Sequence, residues 1–489
     1  MNSTRHPSWG ALRPVACALL AATLAACASG PDYQRPVMDV PLAFKEVGGW
    51  QPTQAVNQAI PDRWWSVYGD AQLDDLVAQV AVNNQTVAAA EAAVRQAQAA
   101  LGAANAAYGP SVSADASSTR SRNGANSNNS STSNGGQSNA QSGRTSTSHR
   151  VALSANWEVD LWGRLRRGAE AGRADVQASQ ADVQAALLSA QSALVESYLQ
   201  LRVNEAQQVL MKQSLENNEK AVRITRHRFD AGVADRADVL AVESQWQATQ
   251  AQAIDLKAQR AQLEHAIASL VGKAPAQFSL PVTGVVPALP GVPEALPATL
   301  LQRRPDIAAA ERRVASANAQ IGVAQAAFFP ALTLGASTGF QSNTWSQILT
   351  APNRIWSVGP ALAATLFDGG VRQAQKDQTV AAYDRTVAQY RETVLTGFQE
   401  VEDSLATLAV LKEEAEVQRQ ANASAQESLE LTLNQYQAGT VGLLNVLTSQ
   451  TSALAQSRTV LDLTGRRLVA SAALMKALGG TWEGPPSQK

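Results

Sequence analysis

The chain has 489 residues, of which 45% are hydrophobic and 17% are charged, and its formal net charge is −1. A charged fraction below the roughly 25% of ordinary soluble domains, with balanced charge, argues against a surface for nucleic acid or another polyanion. Two cysteines and four scattered histidines argue against a disulfide framework and a Cys/His metal cluster, and no P-loop, HExxH, GxSxG or GxGxxG motif occurs. Composition and motifs therefore predict neither an enzyme nor a metal site.

The amino terminus has the pattern of a bacterial lipoprotein signal. An apolar stretch from residue 15 to residue 26 follows two arginines, and it is shorter than the roughly 20 residues that span a bilayer. It ends in Leu-Ala-Ala-Cys, so the thiol of Cys27 would carry the lipid, although a cysteine placed there by chance is the alternative. We predict a signal peptide over 1–26 and a lipidated segment over 27–69, anchored stably by several acyl chains, with no cofactor besides this covalent lipid.

The rest of the chain repeats one plan twice. Residues 229–240 match residues 436–447 at an offset of 436 − 229 = 207, and residues 87–91 match residues 307–311 at an offset of 307 − 87 = 220. The offset changes across a Ser/Asn/Gly run, 117–148, which is predicted to be a long loop because such a run cannot bury a core. The predicted divisions are a first repeat over 70–280, a Pro-rich linker over 281–298, a second repeat over 299–480 and a tail over 481–489.

Each repeat is predicted to begin with a helix and to continue into a β-hairpin. Residues 70–107 are rich in Ala and Gln and contain no proline, and Pro305 suits the first turn of the matching helix. The hydrophobic period then changes from 3.6 to 2 within 111–160 and within 331–367. Strands of about ten residues with one apolar face are typical of outer-membrane proteins, but a half-buried soluble sheet alternates in the same way. Aromatic residues at the strand ends favour the membrane interpretation.

Two very long helices are predicted after each hairpin. Apolar residues recur every seven positions in the second helix of each pair, which requires packing of helix against helix. The pairs turn at Gly232 and at Gly439. The predicted helices span 168–231 and 235–271 in the first repeat, and 371–438 and 443–478 in the second.

Four strands cannot close a sheet in a membrane. Each unpaired edge would leave backbone groups without partners in lipid, and the smallest bacterial barrels have about eight strands. Several copies are therefore predicted to share one barrel, and the same rotational symmetry would arrange the long helices in a ring.

Several motifs make the chain resemble the TolC-type outer membrane factors, specifically the NodT-like lipoprotein branch. The resemblance covers nearly the whole chain after the signal peptide. The motifs are Gly30-Pro31-Asp32-Tyr33-Gln34-Arg35-Pro36, Trp64-Trp65, Tyr68-Gly69-Asp70, Leu301-Gln302-Arg303-Arg304-Pro305-Asp306-Ile307, Asp160-Leu161-Trp162-Gly163-Arg164 and Leu366-Phe367-Asp368-Gly369-Gly370.

The resemblance implies a mainly α fold with a transmembrane β-barrel part. It implies a homotrimer in which a 12-stranded β-barrel continues into a 12-helix α-barrel, with four strands and the long helices from each protomer. It also implies the outer membrane channel of a tripartite efflux system, a passive export duct for drugs or other toxic small molecules. The expected partners are a periplasmic membrane-fusion adaptor, an inner-membrane pump, commonly of the RND type, and outer membrane lipid.

Delivery to the cell outer membrane is implied by Ala28, because inner-membrane lipoproteins carry Asp at that place. The alternative to a channel is a lipid-anchored periplasmic coiled-coil tether without a pore. The heptads and the anchor permit a tether, whereas the alternating strands and the duplication argue against it.

The resemblance also places the helix turns at the periplasmic tip, where such channels are closed until the pump assembles. A role in that closure is one interpretation of Asp235 and Asp238, the two aspartates beside the first turn. The alternative is that they cap the start of a helix. Arg223, Arg226 and Arg228 precede that turn and could pair with the same carboxylates. The candidate tip and gate residues are Gly232, Asp235 and Asp238 at the first turn, and Gly439, Gly442, Asn445 and Thr448 at the second.

Overall fold

The computed structural model describes residues 29–41, 44–45, 63–122, 145–291 and 303–480. Cys27, the predicted signal peptide and the predicted C-terminal tail lie outside the described residues. The chain divides into two compact units. The first unit comprises Met1–Arg35, Gln96–Val176 and Arg313–Thr386, and the second comprises Pro36–Arg95, Gln177–Arg312 and Val387–Lys489. Each unit therefore contains segments of both predicted repeats, and the division into repeats stays a prediction.

Helices account for most of the described residues. The longest two have 67 residues each, which corresponds to about 100 Å at 1.5 Å per residue. The helices are α1 Ala71–Asn83, α2 Gln85–Ala106, α3 Arg164–Asp230, α4 Arg236–Leu270, α5 Pro305–Ala326, α6 Val371–Gln437 and α7 Leu443–Ala477. Among the described residues, no helix combines the length and the apolar character needed to cross a bilayer.

The helix predicted over 70–107 is in fact two helices. Asn84 leaves the helical conformation between α1 and α2, and its side chain accepts hydrogen bonds from the N–H groups of Thr86 (2.9 Å) and Val87 (3.2 Å). Asp70 caps α1 in the same way through the N–H of Gln72 at 2.9 Å. Because short polar side chains satisfy the free N–H groups of a first turn, Asn84 starts a new helix where composition favoured a continuous one.

Four antiparallel strands form one sheet in the first unit, in the order β1-β2-β3-β4. The strands are β1 Ser111–Arg122, β2 Thr145–Val159, β3 Ala331–Ser342 and β4 Arg354–Ala363. The ladder between β1 and β2 extends to the pair Arg122↔Thr145, so the loop predicted over 117–148 is too long. The hydroxyls of Ser121 and Ser146 lie 3.0 Å apart across this ladder. Strand pairing uses backbone groups, so a polar run can extend a hairpin without burying a core.

The predicted alternation is present on the sheet. Leu332 lies opposite Leu362, and Ala336 lies between Ala155 and Val358. The side chains of Leu362 and Val358 are mostly exposed in the single chain. One face of the sheet is thus an apolar surface without cover from the described residues of the chain.

The core of the second unit packs the aromatic residues of the segment 64–68 against the long helices. Trp64 and Tyr68 are buried against Leu194 of α3, Ile267 of α4 and Leu468 of α7. Burying apolar side chains of this size supplies about 1.5–3 kcal/mol each. This cluster explains why the heptads of α4 and α7 are apolar where they approach α3 and α1.

The repeats form matching joints in the second unit. Gly272 has a φ of +72°, and a Cβ there would lie 2.3 Å from the carbonyl oxygen of Asn83. Gly479 has a φ of +90°, and its Cβ would lie 2.5 Å from the carbonyl oxygen of Arg303. The offsets, 479 − 272 = 207 and 303 − 83 = 220, equal those of the sequence motifs. Both joints therefore require glycine for its backbone conformation and for a close approach of two backbones.

Candidate functional site

The turns at Gly232 and Gly439 have the same geometry. Both glycines have a left-handed backbone conformation, with φ of +73° at Gly232 and +75° at Gly439. The N–H of Val233 bonds to the carbonyl of Arg228 at 2.8 Å, and the N–H of Thr440 bonds to that of Gln435 at 3.0 Å. A bond spanning five residues beside a left-handed glycine is a Schellman motif, which satisfies the last carbonyls of a helix. The two predicted turns are therefore real helix ends.

The candidate polar residues lie at the starts of the returning helices. Asp235 occupies the N-cap position of α4, but its carboxylate accepts no capping hydrogen bond from the helix. The prediction of side-chain capping is therefore wrong for Asp235. The start of the helix is held instead by the backbone N–H of Asp238, which donates to the Asp235 carbonyl at 3.1 Å. Asp238 lies in the first turn, where the helix dipole favours a carboxylate.

The second turn presents Gly442, Asn445 and Thr448. Gly442 is the N-cap residue of α7, and Asn445 is exposed in its first turn. The Thr448 hydroxyl donates to the Leu444 carbonyl at 2.9 Å, and Thr448 borders a groove of about 530 Å³ between α4 and α7. Six of the seven candidate residues thus lie at the two turns or in the first turns of α4 and α7, and Thr448 lies in the second turn of α7. Their role in gating stays a prediction.

The three arginines before the first turn could have paired with Asp235 or Asp238, but they have other partners. Arg223 pairs with Glu219 on its own helix at 3.1 Å, and Arg226 reaches Glu243 of α4 at 2.6 Å. Arg228 donates to the hydroxyl of Tyr436 at 2.5 Å and lies 5.5 Å from the centre of its ring. Because Tyr436 is near the end of α6, Arg228 links the ends of α3 and α6.

A buried polar chain, missed from the sequence, supports the same helices farther from the turns. Asn218 of α3 donates to the Thr249 hydroxyl at 2.9 Å, and Gln450 of α7 donates to Asn218 at 2.8 Å. Asn218 and Thr249 are almost fully buried. The available signal was Thr249 itself, a polar residue in an apolar heptad position, which is a common device for fixing the register of packed helices.

A second site, in the first unit, holds the residues that follow the predicted lipid attachment point. The guanidinium of Arg167 is buried and donates to the carbonyls of Ser29 (3.1 Å) and Gly30 (3.3 Å). It also pairs with Asp32 at 2.8 Å. A Cβ on Gly322 would lie 2.8 Å from the carbonyl oxygen of Ser29, so α5 is close enough to contact the segment directly.

Further contacts complete this N-terminal seat, defined as Arg167, Asn318, Gly322 and Trp162. Asn318 donates to the carbonyl of Pro31 at 2.9 Å, and the N–H of Ser29 bonds to the carbonyl of Trp162 at 3.0 Å. The Trp162 ring stacks on Phe329 at 4.8 Å between ring centres. The segment beginning at Ser29 is therefore fixed beside aromatic residues predicted to lie at a membrane interface.

A buried ionic cluster, also missed from the sequence, ties the helices of the second unit to the linker. Glu205 of α3 is fully buried, and its carboxylate pairs with Arg202 at 2.8 Å and with Arg260 of α4 at 3.1 Å. The same carboxylate accepts the N–H of Thr283 at 3.2 Å. Burial and a hydrogen bond to Asp70 raise the pKa of the neighbouring Tyr198 well above its ordinary value. The cluster thus joins α3, α4 and the segment around Thr283 through one buried carboxylate.

Known proteins match this chain over most of its length. A family model described as outer membrane efflux protein matches residues 76–273 and 296–480. The chain is 34% identical over 431 residues to the pyoverdine export outer membrane protein OpmQ of Pseudomonas aeruginosa, covering 86% of this chain and 88% of that protein. It is 29% identical to the cation efflux system protein CusC of Escherichia coli, covering 95% and 98%. The solved outer-membrane channel OprN is similar with a TM-score of 0.82 at 28% identity, covering 93% and 99%.

The four-stranded sheet, the paired long helices and these likenesses define a TolC-like outer membrane channel, in which an α-barrel continues a β-barrel. The chain belongs to the outer membrane efflux protein family, and it is the outer membrane component of a tripartite efflux system. The resemblance, the fold class, the channel function and the outer membrane location predicted from the sequence are confirmed. The family is one of transport ducts, so the tether without a pore is set aside.

Proposed function

We propose that three copies of this chain form a passive export duct that docks, through a periplasmic adaptor, onto an inner-membrane pump of the RND type. The observation that carries the trimer is the open sheet, because within the described residues β1 and β4 each have one edge without a partner strand. At an unpaired strand edge in hydrocarbon, the backbone N–H and C=O groups have no hydrogen-bond partner. Each such group costs several kcal/mol of free energy. Three copies of four strands give a closed barrel within the range known for bacterial outer membranes.

The proposed cargo is a small molecule, such as a drug or another toxic compound. OpmQ is named for pyoverdine export and CusC for cation efflux, so similar channels serve chemically different cargoes. This diversity supports a duct that discriminates little, with selection and energy supplied by the inner-membrane pump. The duct itself is proposed to have no enzymatic step.

Reconstitution tests the duct directly. The purified mature protein is expected to have the mass of three chains in native mass spectrometry and to give stepwise conductance in a planar lipid bilayer. A protein that stays monomeric in detergent and never conducts would remove the proposal. Co-purification with an adaptor expressed in the same cells tests docking separately.

We also propose that lipid on Cys27 anchors the duct to the outer membrane. The N-terminal seat supports this proposal, because Arg167 holds the carbonyl of Ser29, two residues after Cys27, and Asn318 holds the carbonyl of Pro31. Cys27→Ser is expected to abolish labelling with radioactive palmitate, since no other cysteine follows the signal peptide. The same variant should still form a trimer that conducts. Undiminished labelling would show that the lipid is attached elsewhere.

The N-terminal seat itself predicts a second measurable effect. Arg167→Met removes charge-assisted hydrogen bonds to residues 29–32. If this lowers the free energy that holds the segment in place by about 1.4 kcal/mol, the segment will be released about tenfold more often. Proteinase K should then remove the segment about tenfold faster, as followed by intact mass. Arg166→Met is the matched control, because Arg166 is half exposed and pairs only loosely with Asp160 at 3.6 Å. Equal cleavage rates in the two variants would contradict the role of Arg167.

We propose that the tip formed by the two helix turns closes the duct, and Arg228 offers the sharpest test of this. Arg228→Ala removes the link from α3 to Tyr436 of α6, and a loss of about 1 kcal/mol in one copy would raise the open population of that copy's tip about fivefold. The expected result is a higher open probability in single-channel recordings. Arg223→Ala is the control, since its partner Glu219 lies on the same helix. If both variants conduct like the parent protein, the contact at Tyr436 does not hold the gate.

A further inference from the structure

Three arginines lie on the apolar face of the sheet, at the end where hairpins join its strands. Arg120 and Arg122 are an even number of residues from Ala116 in β1, so all three side chains share one face. Arg354 of β4 lies on this face as well, because the ladders connect it to Ala116 through directly opposed residues of β2 and β3. Arg120, Arg122 and Arg354 together form a surface that we call the outer basic rim.

The order of side chains along β4 matches the layers of one membrane leaflet. Arg354 begins the strand at the hairpin end, and Trp356, Val358 and Leu362 follow on the same face. These three apolar side chains are between 67% and 73% exposed in the single chain. Outer-membrane strands have an apolar band that is flanked by aromatic residues at the interface, and long cationic side chains extend from there into the headgroups. Arg354 therefore has the position of a headgroup contact.

The hairpin end of the sheet is the end that faces the cell exterior. The long helices join the sheet at the opposite end, since β2 leads into α3 and β4 leads into α6. In a TolC-like outer membrane channel, the helical part extends into the periplasm toward the pump. The outer basic rim is therefore at the level of the outer leaflet.

The hairpin end is basic and lacks acidic residues. Residues 116–157 contain four arginines and no Asp or Glu, and residues 331–367 contain one arginine and no Asp or Glu. At the helix end of the sheet, arginines have carboxylate partners instead. Arg164 pairs with Glu158 at 2.6 Å, and Arg372 pairs with Asp368 at 2.5 Å. Positive charge without neighbouring negative charge is thus concentrated at the outward end.

The polar face of the hairpin end differs from the apolar face in its charge balance. Arg150 lies on the polar face, and its guanidinium is 3.9 Å from the carboxylate of Asp115. Among the described residues, no carboxylate lies within ion-pair distance of the outer basic rim, and its three side chains are exposed. The arginines that face away from the polar side therefore require their counter-charge from outside the chain.

We propose that the outer basic rim binds the phosphate groups of anionic lipid in the outer leaflet of the outer membrane. A guanidinium forms short, charge-assisted and often bidentate hydrogen bonds with phosphate. The apolar side chains next to the rim contact the acyl chains of the same lipid, whereas a free anion would meet the arginines alone. The proposal requires the sheet to lie in the outer membrane, but it requires no particular number of copies.

Native mass spectrometry of the delipidated protein with diphosphoryl lipid A tests this binding, because the lipid has two phosphates as well as acyl chains. The variant Arg120→Gln/Arg122→Gln/Arg354→Gln is expected to bind at least about tenfold more weakly, since each basic residue near an anionic membrane surface contributes a factor of about five. Arg150→Gln is the matched control, because it removes a hairpin-end arginine from the polar face. It should bind the lipid like the parent protein.

Three results of this titration would overturn the proposal. Equal affinity of the triple variant and the parent protein would show that the apolar face alone holds the lipid. An equal loss of affinity in Arg150→Gln would show that binding does not depend on the face. Inorganic phosphate at the concentration of the lipid should not displace it, and displacement would identify a site for a free anion instead.

Chemical modification tests the same contact without any substitution, so it does not depend on the folding of a variant. Phenylglyoxal reacts with exposed arginines, and peptide mapping of the parent protein measures the rate at each position. Lipid A should slow the modification of Arg120, Arg122 and Arg354 several-fold and leave that of Arg223, an exposed arginine of α3, unchanged. Equal rates at the outer basic rim with and without lipid A would contradict the proposal.

Discussion

Glu205→Ala is expected to lower the free energy of unfolding by about 3–5 kcal/mol, because it removes one partner from a buried ionic cluster. Arg202, which is 1% exposed, would lose its closest counter-charge, and Arg260 would lose one of two. The N–H groups of Thr283 and Gly284 would lose their acceptor as well. Unpaired charge in an interior costs far more than the pair itself contributes.

Urea unfolding in detergent, followed by tryptophan fluorescence, measures this effect, since Trp64 and Trp65 lie in the core of the same unit. Glu219→Ala is the matched control on the same helix. Glu219 is half exposed and pairs with Arg223 one turn away, so its loss should change stability by less than about 0.5 kcal/mol. A difference of less than about 1 kcal/mol between the two variants would show that the Glu205 cluster contributes little to stability.

Gly272→Ala is expected to destabilise the protein by about 3 kcal/mol or more, whereas Gly232→Ala should cost only about 1–2 kcal/mol. Both glycines have nearly the same left-handed φ, +72° and +73°, so the backbone penalty is shared. At Gly272 a Cβ would also meet the Asn83 carbonyl oxygen at 2.3 Å, whereas nothing lies within 4 Å of a Cβ at Gly232. The difference between the variants therefore isolates the close approach of two backbones.

The second repeat provides an internal replicate of this comparison. A Cβ at Gly479 would lie 2.5 Å from the Arg303 carbonyl oxygen, so Gly479→Ala should lower stability about as much as Gly272→Ala. Gly439→Ala should lower stability about as much as Gly232→Ala. The same urea titrations measure all four variants. If the joint variant and the turn variant of each repeat lower the free energy of unfolding equally, the joints can separate to accept a methyl group. The close approach of the two backbones would then contribute nothing to stability.

Most of the architecture was predictable because it depends on local patterns. The long helices start and stop within a few residues of their predicted ends, since alanine-rich composition, absent prolines and a left-handed glycine act over a few residues of chain. Asn84 is the exception among the helices. Its single side chain outweighs the helix propensity of its neighbours by capping α2, an effect that composition alone does not show.

The candidate tip was predictable in position but not in contacts. Gly232 and Gly439 lie at the turns as expected, because the Schellman geometry requires a left-handed residue. The spacing allowed the nearby arginines to pair with Asp235 and Asp238, yet Arg228 binds Tyr436 from the other helix pair. Which long side chain meets which partner is decided by the packing of distant segments.

The periodicities, the duplication and the family resemblance were predictable from the residues alone, because each depends on residues close together in the chain or on offsets that recur. The partners of the buried charges were not predictable, because they depend on how distant segments pack together. Glu205 shows why: its counterpart at offset 207 is Lys412, so the repeat gave no reason to expect an acid that binds two arginines there. Burial turns such a residue from a surface charge into the centre of a cluster, and burial is a property of segments far apart in the chain.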